Sequence, residues 1–179
     1  MSNFLINTFA QNAKLASAGV MILDNDAMLN DYLRTLIDSE KPNTLAVAGF
    51  EDNGFIGEII NGNNGVKVYS KPFRSKFDTV DIGITPAQFG IAETGSVVIR
   101  SDSEDVRMAS MLSNTHVVVL KSTNIVATKA EMAETLRQWF KERNSYTAFI
   151  TGPSRTADIE RILTLGAHGP LRLQILLVN

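Results

Sequence analysis

Short apolar, β-branched runs alternate with helical patterns along nearly the whole chain, and this alternation limits its fold more than any other feature. Val20 to Leu23, Thr44 to Ala48, Val66 to Ser70, Val80 to Ile84, Ser96 to Arg100, His116 to Leu120, Thr147 to Ile150 and Leu171 to Val178 read as strands. Residues 4–18 form a helical pattern ending at Gly19. Asp26 reads as the N-cap of a second helix, with Met28, Leu29, Tyr32, Leu33, Leu36 and Ile37 on one face. That i, i+3, i+4 spacing marks an amphipathic helix, and Lys41-Pro42-Asn43 ends it. Ser101-x-x-Glu104 and Thr128-x-x-Glu131 match the capping box. They predict one helix running to about Leu112 and another with Met132, Leu136, Trp139 and Phe140 facing inward. Thr85-Pro86 reads as the opening of a helical turn, where proline is tolerated, and Thr156 to Leu165 as a last helix. Strands alternating with helices predict an α/β fold with a mostly parallel sheet covered on both faces. The 179 residues suit one domain, residues 1–179, with no internal repeat.

Composition narrows the function. A net charge of −2 argues against a broad basic surface for nucleic acid. The chain has no cysteine, so it supplies no disulfide, thiol nucleophile or cysteine-held zinc or iron–sulfur cluster. That fits a cytoplasmic protein. No segment approaches the roughly 20 apolar residues of a membrane span, and Met1 to Leu15 does not read as a secretory signal. Five glycines between residues 49 and 65 match neither a Walker A loop nor a GxGxxG fingerprint; they read as loop and tight turn.

The candidate chemistry gathers in three places. Residues 151–170 cross from a strand through a polar turn into the last predicted helix. Polar groups at the carboxyl end of a strand in an α/β sheet are a usual ligand position. Free N–H groups at a helix start favour an anion, which Gly152 would let approach the backbone. Arg155 could clamp a carboxylate or phosphate, with Ser154 and Thr156 adding hydrogen bonds and Asp158 nearby. Equally, Ser154 or Thr156 caps the helix, Asp158 and Glu160 complement its dipole, and Arg155 pairs with Asp158. Glu93, in Ala92-Glu93-Thr94-Gly95, could be an acid, base or nucleophile, or a structural carboxylate bonding the N–H groups of a turn. His168, in Gly166-Ala167-His168-Gly169-Pro170, could transfer a proton or fix its loop. His116, in an apolar strand, reads as a core histidine. Two distant histidines without cysteine give no metal-ligand spacing, so no metal site is expected.

From Ile91 onward the chain resembles the lactate-utilisation (LUD) domain family, in particular its small LutC/YkgG-type proteins. The resemblance rests on Ala92-Glu93-Thr94-Gly95, on Gly152-Pro153-Ser154-Arg155-Thr156-Ala157-Asp158-Ile159-Glu160, and on His168-Gly169-Pro170, in their order and spacing. Ser96 stands where the family commonly has threonine, and Ser113-Asn114 where it commonly has proline. The resemblance implies a NagB/RpiA/CoA-transferase-like fold, a three-layer α/β/α sandwich. It implies a subunit of a system that oxidises L-lactate to pyruvate with iron–sulfur partner proteins, while the residues of the turns themselves point to a pocket for a small anion. In that pocket Glu93 and His168 would be catalytic, and Thr94, Gly95, Gly152, Ser154, Arg155, Thr156 and Asp158 would bind the ligand. Any cofactor is unidentified. Two alternatives stay open: a stand-alone enzyme of this fold acting on a phosphosugar, folate or CoA ester, and a non-catalytic binding or assembly module. Self-association into a homo-oligomer is open as well.

Overall fold

The computed structural model describes residues 3–50, 65–69, 72–74, 79–101, 103–142, 146–156, 164–165 and 169–179. Helix α1 (Asn3–Leu15) leads into strand β1 (Gly19–Leu23), and α2 (Asp26–Glu40) into β2 (Thr44–Val47). Then come β3 (Lys67–Tyr69), β4 (Val80–Ala87), β5 (Phe89–Ile91), β6 (Ser96–Ser101), α3 (Glu104–Met111) and β7 (Ser113–Lys121). The chain continues through β8 (Ile125–Val126), a 3-10 turn (Lys129–Met132), α4 (Ala133–Trp139), β9 (Tyr146–Ile150), β10 (Arg155–Thr156), β11 (Thr164–Leu165) and β12 (Arg172–Val178).

The central sheet has the order β1-β12-β7-β4-β2-β3, and every pairing in it is parallel. Helices cover both faces, as the alternating pattern predicts. On one face Leu29, Leu33 and Ile37 of α2 pack on Leu45, Ile82, Ile84, Val117 and Leu176. On the other, Phe9 and Ala13 of α1 and Val106 and Ala109 of α3 pack on Val118, Leu120, Ile175 and Leu177. In β7 and β12 alternate side chains therefore serve opposite faces, and both sets are largely apolar. That is why these strands read as continuous hydrophobic runs.

The structure departs from the sequence pattern in several places. Ser96 to Arg100 and Thr147 to Ile150 are strands, but they lie in a second sheet of order β8-β5-β6-β9. There β6 runs antiparallel to both β5 and β9. Residues 92–95 are too few for the crossover that a parallel pair needs, so β5 and β6 must form a hairpin. Thr85-Pro86 opens no helical turn: both residues continue β4. Pro86 lies beyond the end of β2, where its missing N–H costs that ladder nothing. Helix α2 is capped by Asn25, whose side chain accepts from Met28 N, and not by Asp26. Ser103, not Ser101, caps α3, and Thr128 makes no side-chain cap. Phe140 points outward at 70% exposure, whereas Met132 is buried.

A junction at the end of the first helix

The β6–β9 ladder runs from Ser101↔Tyr146 to Val97↔Ile150, which carries Ser96 alongside Thr151. The Ser96 hydroxyl bonds Thr94 Oγ1 at 2.7 Å and Thr151 Oγ1 at 2.6 Å. Two segments more than fifty residues apart in sequence, the Glu-Thr-Gly turn and the Gly-Pro-Ser-Arg turn, are thereby joined by a chain of three hydroxyls.

Both turns close on the carboxyl end of α1. Gly95 has φ +65°, and a Cβ built there would lie 2.0 Å from Ala13 N. Gly152 has φ +76°, and its Cβ would lie 2.1 Å from the Ala16 carbonyl oxygen. Only glycine adopts this backbone at no cost and lets a helix end come so near. Asn12 Nδ2 donates to the Ala92 carbonyl at 2.8 Å, and Arg155 Nη2 donates to the Ala16 carbonyl at 2.9 Å. A guanidinium at a helix carboxyl end meets unpaired carbonyls and the negative end of the dipole.

The third motif reaches the same place through its backbone. Ser154 N donates to the Pro170 carbonyl at 2.9 Å, and Leu171 N to the Asn114 carbonyl at 2.9 Å. These contacts set the turns beside the amino ends of β7 and β12. The expected position at the carboxyl end of a central strand is not what forms, because the strand before Thr151 belongs to the second sheet. Nor does a helix start at Thr156: Arg155 and Thr156 pair antiparallel with Leu165 and Thr164. The free N–H groups of a helix start therefore do not stand at residues 155–156. Asp158, His168 and the rest of the predicted helix, residues 157–163, lie outside the described residues, as does most of the Gly-rich segment, residues 51–64.

Glu93 is exposed, and its Oε1 accepts from Lys129 N at 2.8 Å, the first residue of the 3-10 turn. Its own N–H donates to the Ala127 carbonyl at 3.0 Å. The carboxylate thus supplies the acceptor that Thr128 does not, at the head of the segment leading into α4. Of the two readings open for Glu93, the bond to a turn N–H is the one seen.

His116 lies in β7 at 1% exposure. Its Nε2 shares a 2.9 Å hydrogen bond with the Thr85 hydroxyl, and burial pushes its pKa from 6.5 down to about 3, so the ring is neutral. A cavity of about 250 Å³ lies between this ring and the Thr151–Ser154 turn, with Gly169 and Pro170 on its wall. Spacing alone gave no sign of that contact, since β7 and the turn meet only through tertiary packing. Sequence reasoning also passed over a polar cluster at the amino ends of β4, β7 and β12. Arg172 grips both Glu40 oxygens, at 2.9 and 2.5 Å, and Nε donates to Thr115 Oγ1 at 3.0 Å. Asp81 Oδ2 accepts from Asn43 N, Thr44 N and Thr44 Oγ1 at 2.8–3.0 Å. An aspartate inside an apolar strand was the available signal. Among the described residues no three His, Asp or Glu side chains gather as metal ligands, and no helix is long and apolar enough to cross a membrane.

The family model described as the LUD domain matches residues 6–178. The chain belongs to the LUD domain family. This LUD domain is 28% identical to lactate utilization protein C of Bacillus velezensis over 165 residues, which cover 90% of the chain and 63% of that relative. It is 27% identical to lactate utilization protein C of Bacillus subtilis, over 99% of the chain and 70% of the relative. With Escherichia coli YkgG the identity is 36%, over 59% of the chain and 47% of the relative. The LUD domain here thus spans less than two thirds of the B. velezensis protein. A crystal structure of a DUF162 family protein from Deinococcus radiodurans covers 100% of the chain and 99% of its own, with TM-score 0.65 and 18% identity. That likeness is one of fold.

Proposed function

We propose that this chain serves in the utilisation of L-lactate, as a cluster-free subunit beside iron–sulfur proteins that take the electrons of its oxidation to pyruvate. The observation that carries this is the LUD match across residues 6–178, together with relatives named lactate utilization protein C. With no cysteine of its own, the chain needs a partner to hold any cysteine-ligated cluster. The convergence of the Glu93-Thr94-Gly95 and Gly152–Arg155 turns supports a shared pocket for a small anion, with Glu93, Thr94, Ser154, Arg155, Thr156, Asp158 and His168 as its candidate groups.

The test is complementation. A strain deleted for its own LUD protein of this type is grown on L-lactate with the wild-type chain, Glu93→Gln or Arg155→Ala. The glutamine keeps an oxygen for Lys129 N but removes the charge. We expect wild type to restore growth and to co-purify with an iron–sulfur protein, and both variants to grow more slowly while remaining folded. Undiminished growth of the deletion strain on L-lactate would refute the lactate role. Wild-type growth of both folded variants would refute the anion pocket alone.

A further inference from the structure

A polar cavity of about 220 Å³ lies at the amino ends of β4, β7 and β12, beside the end of α2. It goes beyond the lactate reading and does not depend on it. We propose that this cavity binds a small zwitterion, an α-amino acid, between Lys41 and Asp81.

The wall carries four charged side chains, and two of them satisfy each other. Arg172 grips both Glu40 oxygens, and its Nε donates to the Thr115 hydroxyl. These three groups hold one another in place, and their charges cancel. Lys41 and Asp81 remain, of opposite sign on one cavity. No ion pair joins them, and Lys41 Nζ bonds no described residue.

Both residues are set for a guest. Asp81 Oδ2 accepts from Asn43 N, Thr44 N and Thr44 Oγ1, which fixes the carboxylate against the start of β2. Its Oδ1 accepts from no described residue and, unlike the unpaired Ser113 Oγ and His116 Nδ1, is not buried. Lys41 has φ +47° directly before Pro42. Side chains other than glycine seldom take a positive φ, and a residue before proline favours extended backbone. Glycine would end the helix at lower cost. Strain of this kind gathers at functional sites, and here it puts a cation on the cavity wall.

The charge pattern selects the guest. A simple carboxylate gains Lys41 but is repelled by Asp81, and a simple amine meets the reverse. A molecule carrying both charges gains two charge-assisted hydrogen bonds. The exposed Asn43 and Asn114 amides, whose side chains bond no described residue, add neutral donors and acceptors at the rim. The volume is below the roughly 300–1,000 Å³ of pockets for drug-sized ligands, so the guest is a small one.

The test titrates the intact ¹⁵N-labelled protein with each common L-amino acid and follows the backbone amides by NMR. We expect at least one to bind saturably and to shift the amides of Asn43, Asp81 and Thr115. Its analogues lacking the ammonium or the carboxylate should each bind at least about tenfold more weakly. Lys41→Gly separates binding from support. Glycine keeps the left-handed backbone, so the variant should resist urea at least as well as wild type while its affinity falls about tenfold. Asp81→Asn should weaken the amino acid and strengthen the analogue that lacks the ammonium. Absence of saturable binding by every amino acid would mean ordinary solvated charges and would overturn the proposal. Shifts confined to other parts of the chain, equal affinity for the analogue without the ammonium, or undiminished affinity in Lys41→Gly would overturn it too.

Discussion

Replacing Gly95 by alanine tests the junction on which the candidate site is built. The new methyl would sit 2.0 Å from Ala13 N and 2.5 Å from both Ala13 Cα and Asn12 C. All three are backbone atoms of α1, so no side chain can turn aside. A positive φ at a non-glycine residue costs about 1–2 kcal/mol by itself. Moving a packed helix end adds about 1–3 kcal/mol. Displacing it also stretches the Asn12–Ala92 hydrogen bond, about 1 kcal/mol more. The sum is about 3–6 kcal/mol, a large share of the roughly 5–15 kcal/mol typical of a folded domain. Gly65→Ala is the control: its φ is +111°, yet no described atom lies within 4 Å of the added Cβ, so only the backbone cost of about 1–3 kcal/mol remains. Urea unfolding of both variants, with unchanged m-values, isolates the packing contribution. If Gly95→Ala is no more destabilised than Gly65→Ala, α1 does not dock on the Glu-Thr-Gly turn and the shared junction is wrong.

Asn25→Ala should remove the α2 cap and lower stability by about 1 kcal/mol, measured by chemical denaturation. Glu40 is held below its ordinary 4.5 by hydrogen bonds from Arg172, so the stability it contributes is present above pH 4.5 and lost as pH falls through the folded value. Glu40→Gln should accordingly differ from wild type at pH 7 and converge on it in acid. His116 is neutral when folded down to about pH 3 but protonates near 6.5 once unfolded. Unfolding then takes up an extra proton, so stability should fall by up to about 1.4 kcal/mol per pH unit between these values, a slope that His116→Gln should flatten.

The sequence was most legible where the signal is local. In α2 the Leu29, Leu33 and Ile37 spacing matches the buried face, and the runs in β7 and β12 are apolar because both faces are covered. Boundaries slipped where neighbouring residues compete for one role. Asn25 and Asp26 are both good caps; Asn25 is the one with the extended backbone of a cap, φ −164°, and its side-chain oxygen accepts from Met28 N. Which sheet a strand joins was not legible, because alternation of type does not record partner. The junction itself was half legible. The three motifs could be seen as unusual, but the element that two of them close on, the end of α1, carries no motif and enters only through packing at Gly95 and Gly152.

That packing changes what the motif residues mean. The two glycines admit the helix end, Thr94 and Ser96 bridge to Thr151, Arg155 caps α1, and Glu93 heads the segment before α4. A motif whose members each hold a neighbouring element will be recognisable across a family even if none of them touches a ligand. Recognition of the LUD pattern is therefore strong evidence for this architecture and weaker evidence for chemistry at the same atoms. Glu93 is where the two can be separated. A cap needs an acceptor oxygen, which glutamine also supplies, whereas an acid, base or nucleophile needs the carboxyl group. If Glu93→Gln keeps its stability and loses lactate-dependent growth, the residue does more than hold Lys129 N. If only Glu93→Ala is defective, in stability and growth together, capping accounts for it.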